Sequence, residues 1–175
     1  MKMFLSSKET LRMGCIKMKQ KNLFLLCGTP GAGKSTWAKA QIENCKYPVA
    51  LVSRDAIRFS IIKDDEDYFS HETEVFDEFC RQIQTELDAG KTVYADATHL
   101  NEKSRNKTLD KLNLEGVELY AVCFDASVET CLERNENRTG RAYVPRSAIR
   151  RMHSQFTIPG DNEKYKYHVL IAKEK

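Results

Sequence analysis

The chain has 175 residues, of which 41% are hydrophobic and 30% are charged, and its formal net charge is +3. A chain of this length can form one domain with a full hydrophobic core, and the composition excludes a disordered or fibrous protein. The weak positive charge permits a polyanionic partner but does not by itself indicate one.

Six cysteines are spread along the chain, at positions 15, 27, 45, 80, 123 and 131, and no two of them form a C-x-x-C pair. This spacing argues against a zinc site and against a disulfide framework. We therefore expect reduced cysteines in a cytoplasmic protein. No apolar run reaches the length that a membrane-spanning helix needs.

Residues 1–20 form an N-terminal extension with basic residues but no sustained apolar stretch, so it does not look like a signal peptide. We expect this extension to be the least ordered part of the chain, with a single domain over residues 21–175. A basic arm that contacts nucleic acid is the alternative, and only its charge supports it.

The strongest signal is a run of apolar residues at 23–26, followed by the sequence GTPGAGKS at 28–35. The apolar run predicts a strand buried on both faces of a parallel sheet. The next eight residues match G-x-x-x-x-G-K-[ST], the P-loop pattern, and helix-forming residues follow them. In such a loop, backbone N–H groups turn toward a polyphosphate at a helix N-terminus.

The P-loop match predicts ATP and Mg²⁺ as cofactors. Lys34 would reach the β- and γ-phosphates, and the Ser35 hydroxyl would ligate the metal ion. The whole predicted nucleotide-binding set in this stretch is Gly28, Thr29, Pro30, Gly31, Ala32, Gly33, Lys34, Ser35 and Thr36.

The rest of the chain alternates between predicted helices and strands. Helices are predicted at 36–44, 72–89, 101–112, 127–137 and 145–155, and another is predicted to begin at 53–55. Further strands are predicted at 49–52, 92–95, 117–124 and 167–172. This alternation with short crossovers specifies an α/β fold. We expect a P-loop NTPase-type open parallel sheet of about five strands, with helices on both faces.

Polar groups follow three of the predicted strands: Gly28, then Arg54 and Asp55, then Asp96. Ligands of open α/β sheets bind at the carboxyl ends of the strands, so these groups should converge at one edge. Asp55 could accept a proton from an acceptor hydroxyl, and Arg58 could hold an anionic group of the acceptor. The spacing equally allows Asp55 to cap its helix and to pair with Arg58 on the surface.

Asp96 is a candidate for the outer shell of Mg²⁺ or for orienting its neighbours, with an ordinary turn residue as the alternative. Arg134, Arg138 and Arg141 lie on the last turn of one predicted helix and in the loop after it. Arginines there predict a lid that folds over ATP and offsets charge on the transferring phosphoryl group. Cationic capping of the helix C-terminus is the alternative.

Three more arginines, at 146, 150 and 151, indicate a solvated basic face on the next helix, and the alternative is that this face contacts a polyanion. The four histidines have no ligand-like spacing, and we interpret them as structural or surface residues.

Several segments together resemble the kinase domain of phage polynucleotide kinase-phosphatase. They are GTPGAGKSTW at 28–37, SRDAIR at 53–58, DATHLN at 96–101, CFD at 123–125, LERNENR at 132–138, VP at 144–145 and IRRM at 149–152. Their order and approximate spacing match that family from residue 23 to residue 156.

The resemblance implies an ATP- and Mg²⁺-dependent kinase that phosphorylates the 5′-hydroxyl of DNA or RNA. It implies that Asp55 is the general base and that Arg58 holds the 3′-phosphate of the terminal nucleotide. It also implies that Arg138 contacts the phosphoryl group during transfer and that Asp96 belongs to the active site. Thr98, in the same segment as Asp96, is a candidate substrate contact, and Arg134 a candidate nucleotide contact.

The chain departs from that family at two points. It contains no segment that resembles the phosphatase domain, and His99 stands where the phage kinase has asparagine, on the loop near the acceptor. Other P-loop kinases act on aminoacyl-tRNA, sugars or antibiotics, so a kinase of a small hydroxylated molecule or of an aminoacyl-tRNA is one alternative. A non-catalytic nucleotide-binding module is another.

Overall fold

A computed structural model of the chain describes residues 2–5, 21–63, 66–67, 70–165 and 167–171. The strands within these residues are β1 (Lys2–Leu5), β2 (Lys21–Cys27), β3 (Val49–Ser53), β4 (Thr92–Asp96), β5 (Val117–Phe124) and β6 (Tyr167–Ile171). The helices are α1 (Lys34–Glu43), α2 (Arg54–Ile61), α3 (Glu72–Asp88), α4 (Glu102–Leu109), α5 (Val128–Glu136) and α6 (Arg146–Ser154), with a short 3₁₀ turn at Gly140–Ala142. None of the described helices combines the length and the apolar character that crossing a membrane requires.

The strands form one sheet in the order β1-β6-β5-β2-β4-β3, and every neighbouring pair is parallel. The predicted open parallel α/β sheet is therefore confirmed. The described residues contribute six strands, whereas the sequence predicted about five. The additional strand is β1 at the edge, which lies within the N-terminal extension and pairs with β6 near the other end of the chain.

β1 pairs with β6, whose residues lie more than a hundred positions away in the sequence. The sequence KMFL of β1 contains no local pattern that predicts this pairing. Residues 6–20 lie outside the described residues, so the expected poor order of the extension and the domain boundary at residue 21 stay predictions.

The central strand β2 shows why helices cover both faces of the sheet. Leu23 and Leu25 point into one apolar cluster, which includes Val75, Phe79 and other residues of α3. Phe24 and Leu26 point into a second cluster on the opposite face, with contributions from α1, α5 and α6. Successive side chains of a strand alternate between faces, so a continuous apolar run must be covered on both sides.

The register of the strands brings the polar strand ends together. Asp96 lies beside Leu26 on β2 and beside Ser53 on β3. The segments that follow these residues therefore leave the sheet at the same edge, as the rule for open α/β sheets predicts.

A buried ion pair fixes the loop that follows β4. Arg105 on α4 forms two hydrogen bonds with the Glu163 carboxylate, at 2.7 and 2.6 Å, and both side chains are almost fully buried. The same guanidinium donates to the carbonyls of His99 and Thr157. Thr157 N in turn donates to Leu100 O, at 2.8 Å. These bonds therefore hold residues 97–101 against the segment 157–163.

Replacing Arg105 with methionine should destabilise the protein by about 3–5 kcal/mol, because Glu163 would be left as a buried carboxylate without its cation. The measurement is the midpoint of urea unfolding. An unchanged slope of the transition would show that the shift in midpoint reports stability alone. The Arg81→Met variant is the matched control, since Arg81 pairs with Glu78 on the exposed surface and its loss should change stability little.

The double variant Arg105→Met/Glu163→Met should recover part of the lost stability, because it removes both buried charges. A loss in the Arg105→Met variant no larger than in the Arg81→Met control would show that the ion pair is not important for the fold.

Candidate active site

The P-loop connects the end of β2 to the start of α1. Gly28 N donates to Thr98 O, at 2.8 Å, and this bond ties the beginning of the loop to the segment after β4. Gly31 has a φ of +86°, and a Cβ atom at this position would lie 2.5 Å from Cys131 O. The loop can pass α5 this closely only because residue 31 is glycine. Gly33 precedes α1 with a left-handed conformation and turns the chain into the helix.

Lys34 lies inside the loop. Its Nζ donates to Gly28 O at 2.8 Å and to Thr29 O at 3.0 Å, and the side chain is buried. Burial lowers the pKa of Lys34, while the charges of Asp96 and Asp55 oppose this shift. The ammonium group is therefore held where the loop backbone surrounds it, next to two carboxylates.

Ser35 and Asp96 form an adjacent pair of oxygen ligands. The Ser35 hydroxyl donates to Asp96 Oδ2 at 2.5 Å, and Asp96 is buried at the end of β4. Burial raises the pKa of Asp96, whereas the Ser35 hydroxyl and the Lys34 charge oppose this shift.

The two oxygen groups fit Mg²⁺. This ion takes hard oxygen ligands and is usually held by one or two carboxylates together with waters and substrate phosphates. Among the described residues no group of three or more His, Cys, Asp or Glu side chains is arranged around a metal position. Ser35 and Asp96 would thus hold the ion jointly with the nucleotide. Thr36, the next residue of α1, is exposed.

Arg58 is the centre of an ion-pair cluster on α2 and α3. Its guanidinium pairs with Asp55 Oδ1 at 3.1 Å and with Glu72 Oε2 at 2.5 Å, and only 6% of its side chain is exposed. The other Glu72 oxygen pairs with Arg54. Asp55 is 65% exposed in its side chain. Ser53, not Asp55, caps α2, because its hydroxyl accepts a hydrogen bond from Ala56 N.

These contacts match the structural alternative in one respect and differ from it in two. The predicted ion pair between Asp55 and Arg58 is present, but Ser53 caps the helix and Arg58 is buried. The catalytic roles of both residues stay predictions. The sequence analysis missed Glu72, which immobilises Arg58 from a different helix. The only sequence signal was an acidic residue at the start of the amphipathic helix α3, a common feature of helix N-termini.

The three lid arginines occupy three different positions. Arg134 Nη1 donates to Gly31 O at 3.4 Å, so this residue lies over the P-loop. Arg138 lines the cleft between the P-loop and α2. Arg141 donates to Ile62 O at 2.6 Å and to Lys63 O at 3.1 Å, and its guanidinium lies over the Phe59 ring. Arg141 therefore attaches the lid to the C-terminal end of α2.

A cavity of about 930 Å³ contains all six predicted catalytic and acceptor-binding side chains, which are Lys34, Asp55, Arg58, Asp96, Thr98 and Arg138. Pro30 and Ser35, from the predicted nucleotide and metal sites, also line it. A second cavity of about 720 Å³ shares seven lining residues with the first, among them Ser35, Asp55, Asp96 and Arg138. The shared residues lie where the two cavities meet.

His99 lies outside this cavity although its neighbour Thr98 lines it. The His99 ring is buried beneath the loop, and its Nδ1 donates to Leu26 O at 2.9 Å. Burial lowers the pKa of His99 to about 4, so the ring is neutral at physiological pH. His99 therefore supports the loop from beneath and does not line the cavity.

The structure combines a parallel sheet, a P-loop with a buried lysine after its central strand, and a lid of arginines. This combination defines the P-loop kinase fold, which binds nucleotides. Residues 23–159 match the AAA domain family, and the chain belongs to that family. The chain also resembles polynucleotide kinase, as expected from its motifs.

Two solved structures illustrate the similarity. A chain in the structure of the Pnkp1/Rnl/Hen1 RNA repair complex is 26% identical with a TM-score of 0.67, over 78% of this chain and 44% of that one. A gluconokinase from Sinorhizobium meliloti 1021 is 18% identical with a TM-score of 0.54, over 91% of this chain and 86% of that one. The second likeness shows the fold alone.

A curated relative extends the comparison to sequence. The transcription factor bHLH140 of Arabidopsis thaliana is 26% identical over 117 residues, which are 66% of this chain and 11% of that protein. This chain spans less than half of the RNA repair protein and about a tenth of the plant protein.

Proposed function

We propose that the protein is an ATP- and Mg²⁺-dependent polynucleotide kinase that transfers the γ-phosphate of ATP to the 5′-hydroxyl of DNA or RNA. The observation that carries this proposal is the position of Arg58. It is a buried guanidinium in the same cavity as Lys34, paired with the exposed carboxylate of Asp55. A guanidinium in this position can bind an anionic group of the acceptor through two parallel charge-assisted hydrogen bonds.

In this proposal the P-loop amides, Lys34 and Arg134 bind the phosphates of ATP. Arg138 offsets the charge that develops on the phosphoryl group as it is transferred. Ser35 and Asp96 would hold Mg²⁺, and the bound ion would neutralise part of the phosphate charge.

Asp55 acts as the general base. The bond from the acceptor oxygen to the γ-phosphorus forms while the bond from that phosphorus to the β–γ bridging oxygen breaks, and the hydroxyl proton passes to an Asp55 carboxylate oxygen. The exposure of Asp55 at the start of α2 suits this role, because the acceptor hydroxyl must reach the carboxylate from the cavity.

Arg58 provides a site for the phosphate on the 3′ side of the reacting ribose. Glu72 holds one edge of the guanidinium, which keeps the group oriented without the acceptor. A phosphate at Arg58 also competes with Asp55 for the same guanidinium, so acceptor binding would release Asp55 for proton transfer. Repair of nucleic acid ends in the cytoplasm is the context we propose for this activity.

A two-by-two comparison of kcat/KM tests the proposal. Wild-type enzyme should prefer a nucleoside 3′-phosphate over the bare nucleoside, and Arg58→Ala should erase most of that preference. A lost hydrogen-bonded contact to a charged group costs about 1.5–3 kcal/mol, or roughly a tenfold to hundredfold decrease in kcat/KM. Arg81→Ala, at an exposed ion pair on α3, is the control and should keep the preference.

Equal losses on both acceptors in the Arg58→Ala variant would show that Arg58 acts on ATP or on the fold. A wild-type enzyme that ignores the 3′-phosphate would refute the polynucleotide acceptor and favour a small hydroxylated molecule.

A further inference from the structure

One face of α6 lines the same cavity as Lys34 and Arg58. The residues of this face, which we call the α6 wall, are Ser147, Ala148, Arg151, Met152 and Gln155. Their spacings of one, three and four positions place them on one side of the helix. Arg151 is the charged residue among these five.

The three arginines of α6, which the sequence analysis assigned to one solvated basic face, have different surroundings. Arg146 pairs with Glu136 at 2.5 Å. Arg150 is exposed and does not line the cavity, whereas Arg151 does. Within the part of the chain that the structure describes, no carboxylate forms an ion pair with Arg151. Arg151 therefore presents an uncompensated positive charge to the cavity.

The cavity is large and extends from the P-loop lysine to α6. Pockets for drug-sized ligands have volumes of roughly 300–1,000 Å³, and this one, at about 930 Å³, lies near the upper end of that range. Six basic and four acidic side chains line it, so it favours an anion overall. Tyr143, which is 40% exposed, also lines it. Positive grooves with exposed aromatic rings are typical of surfaces that bind single-stranded nucleic acid.

We propose that Arg151 on the α6 wall binds the second phosphate of the acceptor strand, so that the enzyme recognises at least two nucleotides at a 5′ end. This inference rests on the proposed function, in which Arg58 holds the first phosphate. The nucleic acid strand then runs from Arg58 along the α6 wall, where Arg151 binds its next phosphate.

The experiment uses three acceptors with a free 5′-hydroxyl. They are a nucleoside 3′-phosphate, a dinucleotide with only its internal phosphate, and the same dinucleotide with a 3′-phosphate added. Only the last has a second phosphate. Wild type, Arg151→Gln and Arg150→Gln are compared by kcat and KM on each acceptor, with Arg150→Gln as the control from the neighbouring position that faces away from the cavity.

Wild-type enzyme should prefer the dinucleotide with two phosphates, and Arg151→Gln should raise its KM roughly tenfold to hundredfold. The kcat should hold, because this contact is made equally in the ground state and the transition state. The other two acceptors should change little, and Arg150→Gln should behave as wild type. Loss of one phosphate contact should also reduce the salt dependence of acceptor affinity by about one unit in the logarithmic slope.

Equal effects of Arg151→Gln on all three acceptors, or equal effects of the two variants, would overturn the inference while leaving the polynucleotide kinase intact. The same holds if wild-type enzyme phosphorylates both dinucleotides equally well. Failure of wild-type enzyme to phosphorylate any of the three acceptors would overturn the proposed function itself, and this inference with it.

Discussion

The Lys34→Ala variant is expected to lose phosphoryl transfer by roughly a thousandfold or more, comparable to the upper range for removal of one preorganised donor at a developing charge. Lys34 Nζ is surrounded by the carbonyls of Gly28 and Thr29, at the point where the P-loop receives phosphates. Alanine cannot supply a cation there. The measurement is single-turnover transfer from labelled ATP to a 5′-hydroxyl oligonucleotide.

The variant should still fold, because the hydrogen bonds of the Lys34 ammonium group are made to carbonyls of its own loop. Its thermal midpoint therefore serves as the check on structure. Lys46→Ala, at an exposed position just after the same helix and outside both cavities, is the control and should retain most of the activity. Near wild-type turnover in the Lys34→Ala variant would remove the P-loop from the mechanism.

The Asp55→Asn variant is expected to lower kcat by about a hundredfold to ten-thousandfold, the usual range when a general base is removed. Asparagine keeps the size and the exposed position but cannot accept the proton of the acceptor hydroxyl. The affinity for ATP should change little, because in the proposed mechanism Asp55 contacts the acceptor. The measurements are kcat under saturating acceptor and the Kd of ATP by equilibrium binding.

Asp77→Asn provides the control for this experiment, since Asp77 is a half-exposed carboxylate on the neighbouring helix α3 that pairs with Lys111. It should leave kcat unchanged. A collapse of ATP affinity in Asp55→Asn with unchanged turnover per bound ATP would make Asp55 a nucleotide ligand. Loss of the helix cap is not an alternative explanation, because Ser53 caps α2.

The candidate site was predictable where its residues are close in sequence. Strand, glycine loop and helix follow one another within twenty residues, so their order alone specifies a P-loop. The helix caps at Ser127 and Asn101 are equally local, because a capping side chain bonds to a backbone group three residues away. The convergence of Asp55 and Asp96 on the P-loop needed one further rule, that parallel strands end at a common edge.

The residues that hold the site in place were not predictable in this way. Glu72 reaches Arg58 across 14 positions, and Glu163 reaches Arg105 across 58. An acidic residue on a helix or near the end of a chain is common, and nothing nearby in the sequence distinguishes these two from surface residues. His99 is similar: its burial against Leu26 O depends on the approach of two strands.

The sequence by itself determined the class of fold, the P-loop and the identity of the side chains that could perform phosphoryl transfer, because apolar periodicity and turn chemistry act over a few residues. Only the tertiary structure decided which arginines matter for which purpose. Arg141 attaches the lid to α2, Arg138 and Arg151 face the cavity, and Arg146 pairs on the surface. The physical reason is that an arginine takes its role from the carboxylates, carbonyls and cavities that other segments bring to it, and these come together only when the sheet and its helices pack.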